Sequence, residues 1–126
     1  MTDSVLDSAP DPAAVAAQLE AWYRHHGRDL PWRQTRDPYA ILVAEFMLQQ
    51  TRVETVIPFY RRFLDRFPDV RALAAAPIDE VLALWEGLGY YRRARHLHAA
   101  ARMIWEELGG RVPDTPAGLR ALPGVG

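Results

Sequence analysis

Between Asp37-Pro38 and Gln49-Gln50 runs the segment YAILVAEFML, apolar at every position except for one carboxylate, Glu45. Asp is a favoured helix N-cap and Pro a favoured first helical residue, so a helix is predicted to start there and to end near Gln49 or Gln50. A helix that is apolar nearly all round belongs in an interior. About half of the 126 residues are hydrophobic (49%), enough for the core of one modest domain around it.

The rest of the chain predicts further helices and no strand. Residues 1–11 are acidic and polar and are expected to be disordered. Residues 12–28 hold Val15, Leu19, Trp22 and Tyr23 on one helical stripe, with Gly27 as the stop. RDLPWRQTRDP reads as a loop without periodicity. Thr51 and Glu54 match a capping box, which predicts a helix from Thr51 towards Phe67, with Pro58 kinking it or sitting close to its first turn. Short helices are expected over Val70 to Ala76 and Ile78 to Trp85, before a break at Gly87-Leu88-Gly89. A long helix is expected from Tyr91 to Leu108, with Ala94, Leu97, Ala101, Ile104, Trp105 and Leu108 on its apolar stripe. Thr115-Pro116 opens a last short helix, and the chain ends in LPGVG, a turn that leads nowhere and so reads as a truncation. The expected fold class is all-α.

Composition removes several kinds of chemistry. There is no cysteine, so neither a disulfide nor a Cys-ligated metal lies within this chain. All fifteen basic residues are Arg, so Schiff-base lyase chemistry has no lysine here to run on. No apolar run reaches the 18 residues or so that suggest a membrane span. Residues 1–12 carry three Asp and no base, the wrong polarity for a signal peptide, so a cytoplasmic location is expected. His25, His26, His96 and His98 have no metal-ligand spacing and read as surface or packing residues. Net charge is −1, yet residues 21–126 hold fifteen Arg against twelve acids. Arg92, Arg93 and Arg95 cluster either as a phosphate-binding patch or as a solvated helix face.

The candidates for chemistry lie in and around the apolar helix. Helical spacing puts Glu45 on a stripe with Ile41, Leu42, Leu48 and Gln49. Desolvation there would raise its pKa and make it a candidate general acid. The competing reading is a Glu paired with Arg at a helix edge. Gln49-Gln50-Thr51, at a junction between helices, suits hydrogen bonding to base edges, or is an ordinary polar turn. Trp32-Arg33 lies in an exposed-looking loop and suits stacking and phosphate contact, or Trp32 plugs the core. Tyr90 and Tyr91 follow a glycine turn beside the Arg cluster, as a wedge for a base step or as part of a helix–helix seam. In Leu122-Pro123-Gly124-Val125-Gly126, the glycines would let backbone amides approach a phosphate, as at the turn of a helix-hairpin-helix.

In order, LPWR, DPYAILVAEFMLQQT, VIPFYRRFLDRFP, LWEGLGYYRRARHLHAAA and LPGVG resemble the adenine DNA glycosylases of the MutY type, within the helix-hairpin-helix glycosylase superfamily. The resemblance runs from Leu30 to Gly126. It implies a base-excision repair enzyme that flips adenine out of mispairs with 8-oxoguanine or guanine in double-stranded DNA and hydrolyses its N-glycosidic bond. Endonuclease III relatives, by contrast, lack the acidic residue and use a Lys beyond the hairpin. By this resemblance Glu45 is the catalytic acid, protonating adenine N7, and Gln50 inserts into the duplex. Tyr90 wedges beside the oxidised guanine, and Leu48 lies close to the lesion, with Gln49 and Thr51 beside it. Trp32 and Arg33 line the adenine pocket, and Gly124 and Gly126 carry the phosphate-binding amides.

The resemblance also implies parts beyond these residues: a second carboxylate, an Asp past the hairpin; a four-iron four-sulfur cluster on four Cys; and a domain that reads 8-oxoguanine. On this reading residues 29–126 form a partial six-helix domain ending at the first half of the hairpin. Residues 12–28 would pack on the missing cluster domain, and the chain alone would be inactive. A monomer in the bacterial cytoplasm, associated with the nucleoid, is the expectation. The alternatives are a glycosylase for another mismatched base, such as thymine, and a non-catalytic helix-hairpin-helix module that binds bent DNA.

Overall fold

In a computed structural model, residues 30–125 are described; the expectations for residues 1–11 and 12–28, and for Gly126, fall outside them. The described residues form a single 3-10 turn, Pro31–Arg33, and six helices, with no strand among them. The helices are α1 (Pro38–Leu48), α2 (Val53–Arg66), α3 (Val70–Ala75), α4 (Ile78–Trp85), α5 (Arg92–Glu107) and α6 (Pro116–Arg120). The all-α expectation is met. The loop before α1 is more ordered than its lack of periodicity suggests, because Pro31 starts a helical turn and the Arg33 amide bonds the Leu30 carbonyl at 3.0 Å.

α1 is set as its sequence demands. The Asp37 carboxylate accepts the Tyr39 amide at 3.1 Å, and Pro38 occupies the first turn. Seven of its residues are buried, Val43, Ala44 and Met47 completely. It lies against α2 and α5, while α3 and α4 pack on α5. Tyr39 reaches across to donate to the Phe67 carbonyl at 2.8 Å, which ties the start of α1 to the end of α2. Burial, with Asp69 and Asp37 nearby, pushes the Tyr39 hydroxyl well above the usual phenol range, so it stays a donor. Edge-on ring pairs, Phe63 with Phe67 at 5.1 Å and with Trp85 at 5.9 Å, carry the core from α2 to α4.

Three sequence expectations are corrected. The Thr51–Glu54 capping box does not form. α2 starts one residue later with Arg52 as its uncapped N-cap, and the Thr51 hydroxyl instead donates to the Gln49 carbonyl at 3.4 Å. The cause is a left-handed turn at Gln50, which moves the helix start downstream. Trp105 and Leu108 share the helical stripe of α5 with Leu97 and Ile104, yet both are exposed. Both sit at the C-terminal end of α5, Trp105 in the last turn and Leu108 as the C-cap, where cover is only partial; Arg71 of α3 sits 5.7 Å over the Trp105 ring. Neither Tyr90 nor Tyr91 is held in a helix seam, since both are exposed. Pro58 lies inside α2, which continues through it to Arg66.

Candidate active site and nucleic-acid interface

Glu45 sits on the one side of α1 that is not closed. Its stripe neighbours Ile41, Leu48 and Gln49 are half-buried, as is Glu45, while the adjoining positions of the helix are buried. No hydrogen bond or ion pair reaches its carboxylate from the described residues, so the paired-Glu reading has no partner there. Burial alone pushes its pKa from 4.5 up to about 7. A carboxyl that is half protonated near neutral pH, on a half-open face, is equipped to donate a proton to a bound group.

One turn further, α1 ends and the chain reverses. Gln50 has φ of 63° and Tyr90 has φ of 52°; they are the non-glycine residues in the left-handed region among those described. These are the two positions expected to reach into a duplex. Left-handed backbone costs a side-chain-bearing residue about 1–2 kcal/mol and persists only where its surroundings over-determine it. Both side chains are exposed, Tyr90 at 58%. Gln50→Ala and Gln50→Gly remove the same amide, but only glycine is at ease at this φ. In the full-length protein the Gly variant is therefore expected to be the more stable of the two by about 1 kcal/mol, read from urea midpoints. Equal stability would contradict the strained turn.

The two turns meet on Arg93, which is 5% exposed. Its guanidinium donates to the carbonyls of Met47 at 2.6 Å, Phe46 at 3.3 Å and Gln49 on one side. On the other side it donates to Gly89 at 2.9 Å and Tyr90 at 3.4 Å. The Arg cluster is thus neither simply a solvated face nor simply a phosphate patch: Arg92 and Arg95 are exposed, and Arg93 points inward. Arg93 was legible in principle, since it lies four residues before Leu97 on the buried stripe of α5.

Trp32 is drawn into the interior. It is 1% exposed and meets Tyr60 edge-on at 5.3 Å, so the exposed reading of this loop is corrected for Trp32. Its Nε1 is buried and has no hydrogen-bond partner among the described residues. Arg33 beside it is exposed.

At the other end, the turn after α6 is anchored by the buried Leu122 and Val125. Thr115 caps α6 by accepting the Gly118 amide at 3.0 Å. Gly124 has φ of 82°, and a Cβ there would lie 2.5 Å from the Cβ of His96. Glycine is required at this turn by its backbone and by the close approach of α5. His96 and His98 both pack: His96 against Gly124, and His98 with its Nε2 2.8 Å from the Ala76 carbonyl.

The cluster implied by the sequence resemblance does not fit these residues. The chain has no Cys, and no three His, Asp or Glu side chains converge among the described residues.

A profile of the HhH-GPD superfamily of base excision DNA repair proteins matches residues 43–123. The adenine DNA glycosylase of Buchnera aphidicola subsp. Baizongia pistaciae is 45% identical over 106 residues, which cover 83% of this chain and 30% of that protein. The thymine-DNA glycosylase of Aeropyrum pernix is 47% identical over 115 residues, 90% of this chain and 52% of that protein. A solved structure of a thermostable thymine-DNA glycosylase superposes with a TM-score of 0.73 at 34% identity, over 89% of this chain and 52% of that one. The chain thus covers between 30% and 52% of the length of these relatives. With the profile running from α1 through α6 and across most of the site, the chain belongs to the HhH-GPD superfamily of base excision DNA repair proteins.

Proposed function

We propose that this chain is the acid-bearing part of an adenine DNA glycosylase that removes adenine mispaired with 8-oxoguanine or guanine. The observation that carries the reading is Glu45, lifted to about 7 by burial and facing an open side of α1. Adenine is a poor leaving group as an anion. A proton on its N7 lets it leave neutral as the bond to C1′ breaks, and water then adds to C1′ of the oxocarbenium-like sugar and releases a proton, as in glycoside hydrolysis generally. Glu45 holds the proton that N7 takes. The half-buried face of Ile41, Leu48 and Gln49 keeps water from restoring the ordinary carboxylate pKa.

The partner is duplex DNA, with the adenine rotated out of the stack. Gln50 and Tyr90 lie on adjacent turns, suited to fill and prop the space the base leaves. The turn at Gly124 offers amides to a phosphate, a contact that fixes register without reading sequence. No helix among the described residues is long and apolar enough to cross a membrane.

A second reading is excision of mismatched thymine, favoured by the 47% identity to a protein named for it. Single-turnover base release by the full-length protein separates the two. Duplexes with A·8-oxoguanine and A·G are expected to lose adenine while T·G keeps its thymine. Thymine release outrunning adenine release would replace the substrate proposed here.

A further inference from the structure

We propose that Arg93 is a positioning residue that locks the Gln50 turn and the Tyr90 turn to each other, so that both side chains are set for the duplex before it arrives. The proposal rests on the reading of Gln50 and Tyr90 as residues that enter DNA. It adds what fixes them, and it turns on a side chain that touches neither base nor sugar.

The geometry is that of a two-sided clamp. α1 ends with carbonyls that no helical amide can satisfy, and they carry the negative end of the helix dipole. Arg93 takes up those of Phe46 and Met47, together with the Gln49 carbonyl just before the left-handed residue. The same guanidinium, through its other nitrogens, holds the carbonyls of Gly89 and Tyr90. Its carbon stands 5.4 Å from the Trp85 ring centre and 5.5 Å from that of Tyr90, so the fork is also held between two aromatic faces. The Trp85 indole donates to the Gly89 carbonyl at 3.1 Å, which closes the far side. Burial lowers the Arg93 pKa to about 10, which leaves it charged at neutral pH. Five donors in a rigid plane serve two turns at once. The single ammonium of a lysine serves one or the other.

The test is a mutant cycle in the full-length protein, read as affinity for a fluorescein-labelled A·8-oxoguanine duplex by anisotropy at fixed salt. Arg93→Lys is expected to weaken binding about tenfold when Gln50 and Tyr90 are present. In the Gln50→Ala/Tyr90→Ala background its effect is expected to shrink to about twofold or less, within additivity. An equal loss in both backgrounds would mean a general structural role and would overturn the clamp. So would no loss from Arg93→Lys where Gln50→Ala/Tyr90→Ala does lose affinity. If Gln50→Ala/Tyr90→Ala itself loses nothing, the insertion reading fails and the clamp fails with it. Hydrogen exchange in the free wild type needs no variant. The Thr51 and Arg93 amides, bonded to the carbonyls of Leu48 and Tyr90, are expected to exchange slowly and at matched rates. Fast exchange of either overturns the proposal even if the Lys variant does not fold.

Discussion

Replacing Glu45 with Gln in the full-length protein is expected to slow single-turnover adenine release by about 10²- to 10⁴-fold, the usual contribution of a general acid. Gln keeps the shape and the hydrogen-bonding capacity of the side chain but has no proton to give. Near-wild-type release by Glu45→Gln would remove Glu45 from the chemistry. The same substitution is expected to raise stability, with a definite pH dependence. Unfolded, the carboxyl ionises near 4.5; folded, near 7. Below 4.5 both states hold the proton, and the folded state's preference for the neutral form is fully expressed. As pH rises from 4.5 to 7 the unfolded chain gives up its proton and the folded one resists, so wild-type stability falls across that window and levels off above it. The stability advantage of Glu45→Gln should therefore be smallest near pH 4.5 and largest above pH 7. It should be on the order of 2 kcal/mol, discounted for the partial exposure of the site. Melting curves of the two proteins across this range check the sign.

Gly124→Ala is expected to cost about 3 kcal/mol, from two sources that add. A side chain at φ of 82° is strained, and the new methyl would overlap the Cβ of His96 at 2.5 Å and its ring at 2.8 and 2.9 Å. The His96 Cβ is fixed to α5, so the turn must move instead. His96→Ala clears the ring but not the Cβ and is expected to rescue only a small part of the loss. Duplex affinity at fixed salt should fall together with stability, because the amides proposed to meet a phosphate shift with the turn. Unfolding by urea and binding by anisotropy read the two effects. A variant within about 0.5 kcal/mol of wild type, the range of ordinary surface changes, would contradict the close packing of this turn on α5.

α1 and Glu45 were legible because their signals are local. A cap, a proline and an unbroken apolar run specify a buried helix, and one carboxylate within it is bound to be desolvated. The turn after α1 was less legible. Thr51 and Glu54 have the right spacing for a capping box, but with Gln50 in the left-handed region the N-cap falls at Arg52 and the helix starts at Val53, and a single residue's φ leaves no mark on a hydropathy pattern. Arg93 was hidden by its neighbours. Three arginines within four residues suggest a surface; the one contrary signal is the place of Arg93 four residues before Leu97, and the packing of α5 shows it turned inward to meet carbonyls more than forty residues away in sequence. Trp105 and Leu108 failed the opposite way: periodicity names a face of a helix but not what covers it. Gly124 was expected to be glycine for the sake of a phosphate. The approach of His96 supplies a second reason that no linear motif carries.

The most direct measurement is the pH dependence of kcat/KM for adenine release from an A·8-oxoguanine duplex, because that ratio reports the essential acid of the free protein. A Glu45 proton donor at about 7 predicts a rate that falls tenfold per pH unit above neutrality, with no such limb in the residual activity of Glu45→Gln. A flat profile up to pH 9, or a limb that survives in Glu45→Gln, would show that the proton comes from elsewhere.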